Sequence, residues 1–487
     1  MSQAEIKNSF WKSPTFCAVA TAVLLWLPVQ KMGWFPLAWI GLAPLLWAAR
    51  EMDAKARLRY GWRAGFGFYV LTNWWILPTI IYGSPMIGAP PALGALLGVI
   101  AVSFIAGVHG WQFAIALWLW DTKKWAGHLW LLPIIVALFW GFFDWLRCIP
   151  PLAHIWGALA FTQWNNLGLL QTAPLIGQHG ITILVAWFGA GMALWAITRR
   201  KVYVVMPIIV FAGLPLAFGN SPVATGATAL DNYFPAVLVS TNVPSLTKTG
   251  RQAGESNFEQ ALRLTRTDEL EKPFLIVWPE TTFEIWQVGN LIRPNSAQIT
   301  EWNKLQAILK GSQAKVLSGI AVHQLDSLDE KLSNSAVLLG QNGKMQSAAK
   351  IRTVPMGERA PLGEYLPFLR RFAPNPEVTP GTTPKPLDFN GKPIGTLVCF
   401  ESCFPEPARS LRRQGAQILF IITNDEYFKG TNAPWEHATM AVLRAAENQI
   451  PVAQVANGGY TLVINKRGRI LYQSFGPGAA SSAIPLY

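Results

Sequence analysis

Long apolar runs joined by short basic loops fill the first 220 residues, and this pattern limits the possible folds more than any other feature. The runs cover residues 15–28, 34–49, 60–82, 88–120, 128–147, 178–198 and 202–219. This part of the chain has 14 Lys and Arg residues but only 5 Asp and Glu residues. A helix needs ~20 apolar residues to cross a bilayer, a length that several of these runs reach. The sequence therefore predicts a multi-pass α-helical membrane domain of about seven spans in residues 1–220.

The loops between these runs differ in positive charge. If the N-terminus lies in the cytoplasm, the cytoplasmic segments hold 12 basic residues, and the opposite side holds only Lys31 and Arg147. Cytoplasmic loops of membrane proteins are rich in Lys and Arg, so the distribution favours this orientation. An odd number of crossings then places residues 221–487 outside the cytoplasm. The first two runs are shorter than a full span, and a re-entrant turn near residues 28–33 is the alternative for them.

The stretch between the fifth and sixth runs, residues 148–177, contains three prolines and is not a clean span. It also holds Trp156 and Trp164, a residue type that is enriched at membrane interfaces. An arm lying at the outer interface and a plain connecting loop both fit this composition. Asp144 and Arg147 lie three residues apart just before it, and we interpret them as an interfacial ion pair rather than as catalytic residues.

Residues 221–487 have a different pattern, with 26 basic and 22 acidic residues and short apolar segments. The predicted strands are 234–240, 273–280, 315–322, 335–341, 344–350, 395–401, 417–424, 452–457 and 461–468. Helical stretches lie between several of them, at 255–270, 297–311, 405–414 and 435–449. Buried strands that alternate with helices indicate an α/β layered domain, and ~270 residues are enough for a separate core.

Three of the predicted strands end in residues with acid–base or nucleophilic chemistry, namely Glu280, Lys350 and Cys399. A thiol at a strand-to-helix elbow is presented outward, and a helix N-terminus near it lowers its pKa. A carboxylate can take the thiol proton, and an ammonium can hold the oxyanion of a tetrahedral intermediate. Together the three residues could catalyse acyl transfer. Each one alone is more typical of a turn, a solvated lysine or a core cysteine.

Several longer segments occur in the order of one known family. They are IVWPETT, KIRTVPMGE, LVCFESCFPE, ITNDEYF, WEHATMAVLRAAEN and VANGG. These segments resemble the carbon–nitrogen hydrolase (nitrilase) superfamily, and with the preceding apolar runs the chain is similar to the apolipoprotein N-acyltransferase family. The resemblance implies a nitrilase-like αββα sandwich in residues 221–487, attached to the multi-pass helical domain, with the active site facing the membrane.

The resemblance also implies roles for individual residues. Glu280 matches the general base, Lys350 the catalytic lysine and Cys399 the nucleophile, and neither a metal nor an organic cofactor is implied. Glu358 and Glu401 match supporting carboxylates.

Two features complicate this match. Glu364, in the similar string PLGEYLPF, competes with Glu358 for the supporting role; the spacing from Lys350 favours Glu358. Phe400 stands where the family usually has Tyr, and with Trp278 it is expected to give the substrate site an apolar lining.

The resemblance implies that the substrates are lipids. The acyl donor is a phospholipid, and the acceptor is the free amine of a diacylglyceryl-cysteine at the N-terminus of a lipoprotein. The expected location is the bacterial inner membrane, with a monomeric enzyme whose catalytic domain lies on the periplasmic side. No nucleic-acid partner is expected. The alternatives are a membrane-tethered amidase or nitrilase that uses the same three residues, and a non-enzymatic lipoprotein-binding protein.

Overall fold

The chain changes from helices alone to mixed strands and helices after residue 218. The computed structural model describes residues 13–150, 153–218, 233–244, 254–265, 274–288, 291–294, 296–310, 312–326, 329–374 and 376–486. The predicted boundary between residues 220 and 221 lies outside these residues. The chain divides into a helical unit, residues 1–149, 153–221 and 431–436, and a second unit with both sheets, residues 150–152, 222–430 and 437–487.

Each of the seven apolar runs is helical. In the described part of the helical unit the helices are α1 (Pro14–Trp26), α2 (Pro36–Gly41), α3 (Ala43–Ala49), α4 (Ala54–Asn73), α5 (Ile76–Gly83), α6 (Pro91–His109), α7 (Trp111–Leu119), α8 (Leu131–Leu146), α9 (Leu167–Leu170), α10 (Ala173–Thr198) and α11 (Val202–Phe218). Polar caps start three of them, because the side chains of Ser13, Asp53 and Asn166 accept hydrogen bonds from the first turns of α1, α4 and α9.

Several helices are shorter than the runs that predicted them. Among the described residues, Pro91–Leu119 and Ala173–Thr198 are long and apolar enough to cross a membrane. Ala54–Asn73 and Ile76–Gly83 add a third span if this pair, bent by 48°, is counted as one. The other apolar helices are shorter because turns interrupt the apolar runs. The 16 residues of α8, for example, extend over only ~24 Å, whereas the hydrocarbon core of a bilayer is ~30 Å thick. The helices fit a membrane domain, whereas the number of about seven spans stays a prediction.

The residues that follow α8 fold back into the helical unit. Residues 153–163 are almost entirely buried and end in a short 3₁₀ turn, Leu159–Gln163. Arg147 fixes their start, since its guanidinium donates to the backbone carbonyl oxygens of His154, at 3.1 Å, and Trp156. The ion pair with Asp144 forms at 3.2 Å as predicted, and both side chains are buried inside the unit.

The second unit contains fourteen strands and four helices among its described residues. The strands are β1 (Tyr233–Ser240), β2 (Leu275–Val277), β3 (Phe283–Val288), β4 (Leu291–Pro294), β5 (Lys315–Asp326), β6 (Asp329–Leu339), β7 (Met345–Ala349), β8 (Leu387–Phe389), β9 (Lys392–Val398), β10 (Ile418–Asn424), β11 (Val452–Asn457), β12 (Tyr460–Ile464), β13 (Ile470–Phe475) and β14 (Gly478–Pro485). The helices are α12 (Asn257–Leu264), α13 (Ile299–Leu309), α14 (Pro405–Arg413) and α15 (Ala433–Asn448), of which α15 belongs to this unit from residue 437 onward. The end of the predicted helix 255–270 lies outside the described residues.

The strands form two sheets. One has the order β14-β1-β2-β5-β3-β4, with β6 beside β5 and β7 beside β6, and the other has the order β13-β12-β11-β10-β9-β8. Strands β1, β2 and β5 run parallel in the first sheet, and β9, β10 and β11 run parallel in the second. Parallel strands bring their carboxyl ends to one edge of a sheet, so residues after β9 and β10 become neighbours.

Apolar side chains fill the space between the sheets and the space outside the first one. The inner cluster joins both sheets and includes Phe234, Val277, Ile418, Phe420 and Val455. The outer cluster lies between the first sheet and the helices α12 and α13, and includes Phe258, Ile276, Leu305 and Val316. Helix α14 packs on β9 of the second sheet, where Gly395 leaves room for Leu411. The predicted αββα sandwich is therefore confirmed.

Candidate active site

Glu280 lies in an interruption between two short strands. Both β2 and β3 pair in parallel with the same long strand β5, and the chain turns outward between them. Thr281 has a positive φ of 52°, and Gly319 of β5 faces the turn, where a Cβ atom would lie 2.4 Å from the Glu280 Cα. The sequence predicted one strand over 273–280, but the strand ends at Val277 because the turn follows. This turn places the buried carboxylate of Glu280 beside Lys350.

Lys350 follows the hairpin of β6 and β7, which the sequence predicted. Its side chain is 1% exposed, and its Nζ donates to Glu358 Oε1 at 2.8 Å and to Glu280 Oε1 at 3.3 Å. Burial alone would lower the pKa of Lys350, but the two carboxylates outweigh it and hold that pKa well above its ordinary value. The lysine is therefore a buried cation with a fixed position.

Asn334 is a site residue that the sequence analysis missed. Its Nδ2 donates to Glu280 Oε1 at 2.7 Å and to Glu358 Oε1 at 2.9 Å, while its backbone carbonyl accepts from the Lys350 N–H at 2.8 Å. The amide thus holds two carboxylates close together beside the ammonium. A polar residue at the start of the segment SNSAVLL was the available signal, but the partners of Asn334 depend on the register of the β6–β7 hairpin.

The two acidic candidates that follow Lys350 lie in different surroundings. Glu358 bonds to Lys350 and Asn334 through Oε1, and its Oε2 accepts from the Val354 backbone N–H at 2.8 Å. Glu364 is largely exposed and pairs with Arg359 at 2.8 Å. The geometry therefore gives the supporting contact to Glu358.

Cys399 lies at a sharp elbow directly after β9. Its φ is 51°, a left-handed conformation that a non-glycine residue adopts only when its surroundings enforce it, and residues Cys399–Cys403 form a 3₁₀ turn. The side chain is half-buried, whereas Cys403 is fully buried. The elbow therefore presents the Cys399 thiol and hides the Cys403 thiol.

The surroundings of Cys399 oppose the thiolate. Burial and the Glu280 carboxylate raise the pKa of the thiol well above its ordinary value, and Lys350 and a hydrogen bond with Thr423 offset this only in part. The expectation of a lowered pKa was wrong, because burial and Glu280 dominate. The helix α14 begins only at Pro405, after the 3₁₀ turn. The resting site therefore holds a neutral thiol, which must lose its proton when it reacts.

Glu401 joins the elbow to the segment that follows Lys350. Its Oε2 accepts from the Val398 N–H at 2.7 Å, and its Oε1 accepts from the N–H groups of Ile351 at 2.7 Å and Arg352 at 3.4 Å. Burial raises the pKa of this carboxyl to about 7, although the hydrogen bonds from Val398 and Ile351 lower it in part. Glu401 thus holds the nucleophile and the lysine segments in one arrangement.

A row of polar side chains links the ends of the parallel strands of both sheets. Thr241 Oγ1 donates to Asn457 Oδ1 at 2.9 Å, and Asn457 Nδ2 donates to Asn424 Oδ1 at 2.7 Å. The backbone N–H of Asn424 in turn donates to Glu280 Oε2 at 2.9 Å. Both oxygens of Glu280 are therefore held, one from each sheet.

The two aromatic residues that were expected to line the site differ in position. Trp278 is fully buried in the outer cluster, where its indole N–H donates to Thr265 Oγ1 at 2.9 Å and its ring meets Phe258 edge to face. The prediction that Trp278 binds substrate does not fit this position, because the side chain is enclosed in the outer cluster. Phe400 lies next to the nucleophile, 8% exposed, and stacks edge to face with Phe404.

The arrangement can carry out nucleophilic acyl chemistry. It combines a half-buried thiol, a fixed carboxylate whose charge acts on that thiol, and a buried ammonium that can stabilise an oxyanion. Among the described residues, no group of three or more His, Cys, Asp or Glu side chains is placed to hold a metal ion.

Comparisons with known proteins match both parts of the chain. Residues 21–191 match the family model of the apolipoprotein N-acyltransferase N-terminal domain, and residues 255–480 match that of carbon-nitrogen hydrolase. Apolipoprotein N-acyltransferase of Geobacter metallireducens is 29% identical over 93% of this chain and 85% of the relative. Apolipoprotein N-acyltransferase of Chlorobaculum tepidum is 28% identical over 84% of this chain and 78% of the relative.

Solved structures also resemble part of the chain. The crystal structure of Saccharomyces cerevisiae Nit3, a member of branch 10 of the nitrilase superfamily, is 18% identical and has a TM-score of 0.40. The match covers 54% of this chain and 93% of the yeast protein.

Proposed function

Because the chain belongs to the apolipoprotein N-acyltransferase family, we propose that it transfers an acyl chain from a phospholipid to the N-terminal amine of a diacylglyceryl-cysteine lipoprotein. The chain is an acyltransferase, and its apolar helices make it a membrane protein. The observation that carries the proposal is the buried Lys350 ammonium between Glu280 and Glu358, at the edge where the Cys399 thiol is half-exposed.

In the first half-reaction Glu280 removes the proton from the Cys399 thiol while the sulfur attacks the ester carbonyl carbon of the phospholipid. The sulfur–carbon bond forms, and the carbonyl oxygen becomes an oxyanion that the Lys350 ammonium stabilises. When the carbon–oxygen ester bond breaks, Glu280 returns its proton to the leaving alkoxide. A lysophospholipid leaves, and the acyl chain remains on Cys399 as a thioester.

In the second half-reaction the free amine of the lipoprotein attacks the thioester carbonyl carbon. Glu280 accepts the proton that the amine loses, and Lys350 again stabilises the oxyanion. The carbon–sulfur bond breaks, the thiolate takes the proton back from Glu280, and an amide is released. Each residue therefore ends the cycle in the protonation state in which it began.

The raised pKa of the Cys399 thiol explains why a base must lie close to it. At neutral pH the thiol is protonated, so attack requires proton transfer to a carboxylate in the same step. Lys350 keeps its charge throughout, because its pKa is also raised. The amide of Asn334 holds Glu280 and Glu358 beside the lysine, so this geometry does not depend on bound substrate.

The test is to incubate the purified protein with a phospholipid labelled in its acyl chain, and then to digest it and analyse the peptides by mass spectrometry. We expect an acyl-thioester on Cys399 and none on Cys403. Addition of a diacylglyceryl-cysteine peptide should move the label to the peptide amine. Release of free fatty acid with no labelled peptide would instead indicate a hydrolase, and a labelled peptide without any acylated Cys399 would contradict the thioester route.

We further propose that the protein lies in the bacterial inner membrane with its catalytic unit on the periplasmic side. The support is the excess of basic residues on alternate loops of the helical part. A reporter that is active only after export, fused after the last residue, should be active. Activity of a cytoplasmic reporter at the same position would contradict this orientation.

A further inference from the structure

A second buried cluster of polar groups lies behind the nucleophile elbow. His437 of helix α15 is 1% exposed, and its Nδ1 lies 2.9 Å from Asp425 Oδ1. Its Nε2 lies 3.2 Å from the backbone carbonyl oxygen of Cys399 and 2.9 Å from Ser402 Oγ. The mechanism described above uses none of these three side chains, although His437 and Ser402 contact the nucleophile residue itself.

The partners of His437 determine its protonation. A backbone carbonyl oxygen can only accept a hydrogen bond, so Nε2 must carry a proton to bind Cys399. Nδ1 faces the carboxylate oxygen of Asp425, which accepts a hydrogen bond, so it must carry a proton as well. Burial lowers the pKa of His437, but Asp425, and to a lesser extent the Cys403 thiol, outweigh it, and that pKa is raised well above its ordinary value. The side chain is therefore an imidazolium at neutral pH.

The same cluster has the order Ser, His and Asp, which would suggest a second nucleophile. Ser402 and Asp425 are, however, both completely buried. Ser402 Oγ also donates to the Cys399 carbonyl oxygen at 2.9 Å, so its proton points at the elbow and not at the imidazole. The cluster therefore acts on the backbone of Cys399.

Two donors on the Cys399 carbonyl oxygen fix the peptide plane between Cys399 and Phe400. In a trans peptide the N–H points opposite to the C=O. The carbonyl that faces His437 and Ser402 therefore directs the Phe400 N–H away from the cluster, on the opposite side of the elbow. The left-handed conformation of Cys399, with φ 51°, needs such a restraint because it is unfavourable for a side chain with a Cβ.

We propose that His437 is a positioning residue for acyl transfer: held by Asp425, its imidazolium binds the Cys399 carbonyl oxygen and so fixes the direction of the Phe400 N–H as a second donor to the oxyanion. The inference rests on the proposed function for the role of Cys399 as the nucleophile and of Lys350 as a donor to the oxyanion. It adds a charge and a backbone donor to the stabilisation that Lys350 supplies.

The experiment compares two substitutions that remove the same charge. The amide of Gln reaches the place of Nε2, so His437→Gln keeps a donor to the Cys399 carbonyl. The amide of Asn reaches only the position of Nδ1. His437→Asn therefore keeps a contact with Asp425 and loses the hydrogen bond to the Cys399 carbonyl oxygen. Acylation of Cys399 is followed with a short-chain soluble ester in detergent, and kcat and KM are measured separately.

We expect His437→Asn to lose about 10²-fold in kcat, the usual effect of one lost oxyanion donor, with KM little changed. His437→Gln should recover most of this loss. Ser402→Ala, a smaller change in the same cluster, should lower kcat by less than His437→Asn. Equal losses in the Gln and Asn variants, or losses that follow their unfolding temperatures, would overturn the proposal.

Alkylation of Cys399 by iodoacetamide separates this role from general damage to the elbow. Alkylation forms no oxyanion, so His437→Asn should react with iodoacetamide at nearly the wild-type rate while its acylation is slow. Parallel loss of both reactions would mean that His437 only keeps the elbow folded. If the wild-type protein reacted with the soluble ester but not with phospholipid, this would contradict the proposed function. The acylation rates of the His437 variants with the soluble ester would still test the role of His437.

Discussion

Each unit buries a basic side chain beside carboxylates, but the number of carboxylates for each cation differs between the two units. In the helical unit Asp144 and Arg147 form a neutral pair. Hydrogen bonds from Gln112, Thr182 and Arg147 reach both carboxylate oxygens, and all three guanidinium nitrogens have acceptors. In the catalytic unit one ammonium, Lys350, faces two carboxylates, Glu280 and Glu358.

This difference separates a structural cluster from a reactive one. The Asp144–Arg147 pair has one carboxylate for one guanidinium. Its hydrogen bonds connect α8 to the backbone that follows this helix. The catalytic cluster has two carboxylates for one ammonium, and the carboxylate of Glu280 lies close enough to the Cys399 thiol to raise the pKa of that thiol. In this chain we therefore expect the cluster beside the Cys399 thiol to be the reactive one and the Asp144–Arg147 pair to be structural.

The strongest test of this contrast removes the proton donor. Cys399→Ser should abolish covalent acylation, because a serine hydroxyl is far harder to deprotonate than a thiol at the same carboxylate. The measurement is mass spectrometry of the protein after incubation with labelled phospholipid. Cys403→Ser is the matched control, and it should keep most of the acylation because that thiol is fully buried in the core. The reverse outcome would show that the wrong cysteine has been assigned.

The next test removes the cation from each cluster in turn. Lys350→Met should reduce the acylation rate by about 10²–10³-fold, since one oxyanion donor is lost. Lys350→Arg should also lose most of the rate, because a planar guanidinium cannot take the position of a compact ammonium between two carboxylates.

Arg147→Met is the counterpart in the helical unit. It should cost roughly 3–5 kcal/mol of stability by leaving Asp144 buried without its partner, while the folded protein keeps its rate. Unfolding in detergent and acylation kinetics are measured on the same samples. A rate loss in Arg147→Met as large as in Lys350→Met, without a loss of stability, would remove the distinction between the clusters.

A smaller effect is expected from the two acidic residues that compete for the supporting role. Glu358→Gln should slow acylation by a soluble ester about 10- to 100-fold, the value of a hydrogen bond to a charged group. Glu364→Gln should spare that reaction, because Glu364 bonds only to Arg359 at the surface in the described part of the chain, and should weaken only turnover with bilayer phospholipid. If Glu364→Gln alone stopped the soluble reaction, the supporting role would belong to PLGEYLPF.

The sequence predicted those parts of the site that depend on where a strand ends. Lys350 and Cys399 follow strands whose apolar pattern is clear, and the resemblance assigned Glu280, Glu358 and Glu401. Asn334 could not be predicted in this way, since its contact with Glu280 depends on how three separate strands are aligned. Trp278 was misplaced because strand periodicity does not say which face of a sheet carries helices.

The electrostatics of Cys399 also could not be predicted from its local segment. The sequence suggests a thiol near a helix N-terminus, but the pKa depends on burial and on Glu280, which is more than a hundred residues away in the chain. His437 and Asp425 likewise reach the elbow from other elements, and only the packing of α15 and β10 brings them to the Cys399 carbonyl. Such contacts are tertiary, and no local pattern encodes them.

The smallest effect concerns two buried carboxyl groups whose pKa burial raises to about 7, Glu401 at the elbow and Glu436 near the start of α15. Between pH 4.5, the ordinary pKa of a Glu carboxyl, and about pH 7, each group keeps its proton in the folded chain. The unfolded chain releases that proton in the same pH range. Stability should therefore fall as the pH rises through this window, by at most ~3 kcal/mol for each group. Glu401→Gln and Glu436→Gln should each flatten this slope by a similar amount in detergent unfolding.

Only one of the two substitutions should also change the chemistry. Glu401 accepts N–H groups from both segments of the site, and a Gln can accept on one oxygen only, so Glu401→Gln should slow acylation roughly two- to tenfold. Glu436 bonds instead to Asn432 and Gln30, and Glu436→Gln should leave the rate unchanged. If both variants flattened the slope and neither slowed acylation, Glu401 would belong with the Asp144–Arg147 pair, as a buried charge that holds structure and takes no part in the reaction.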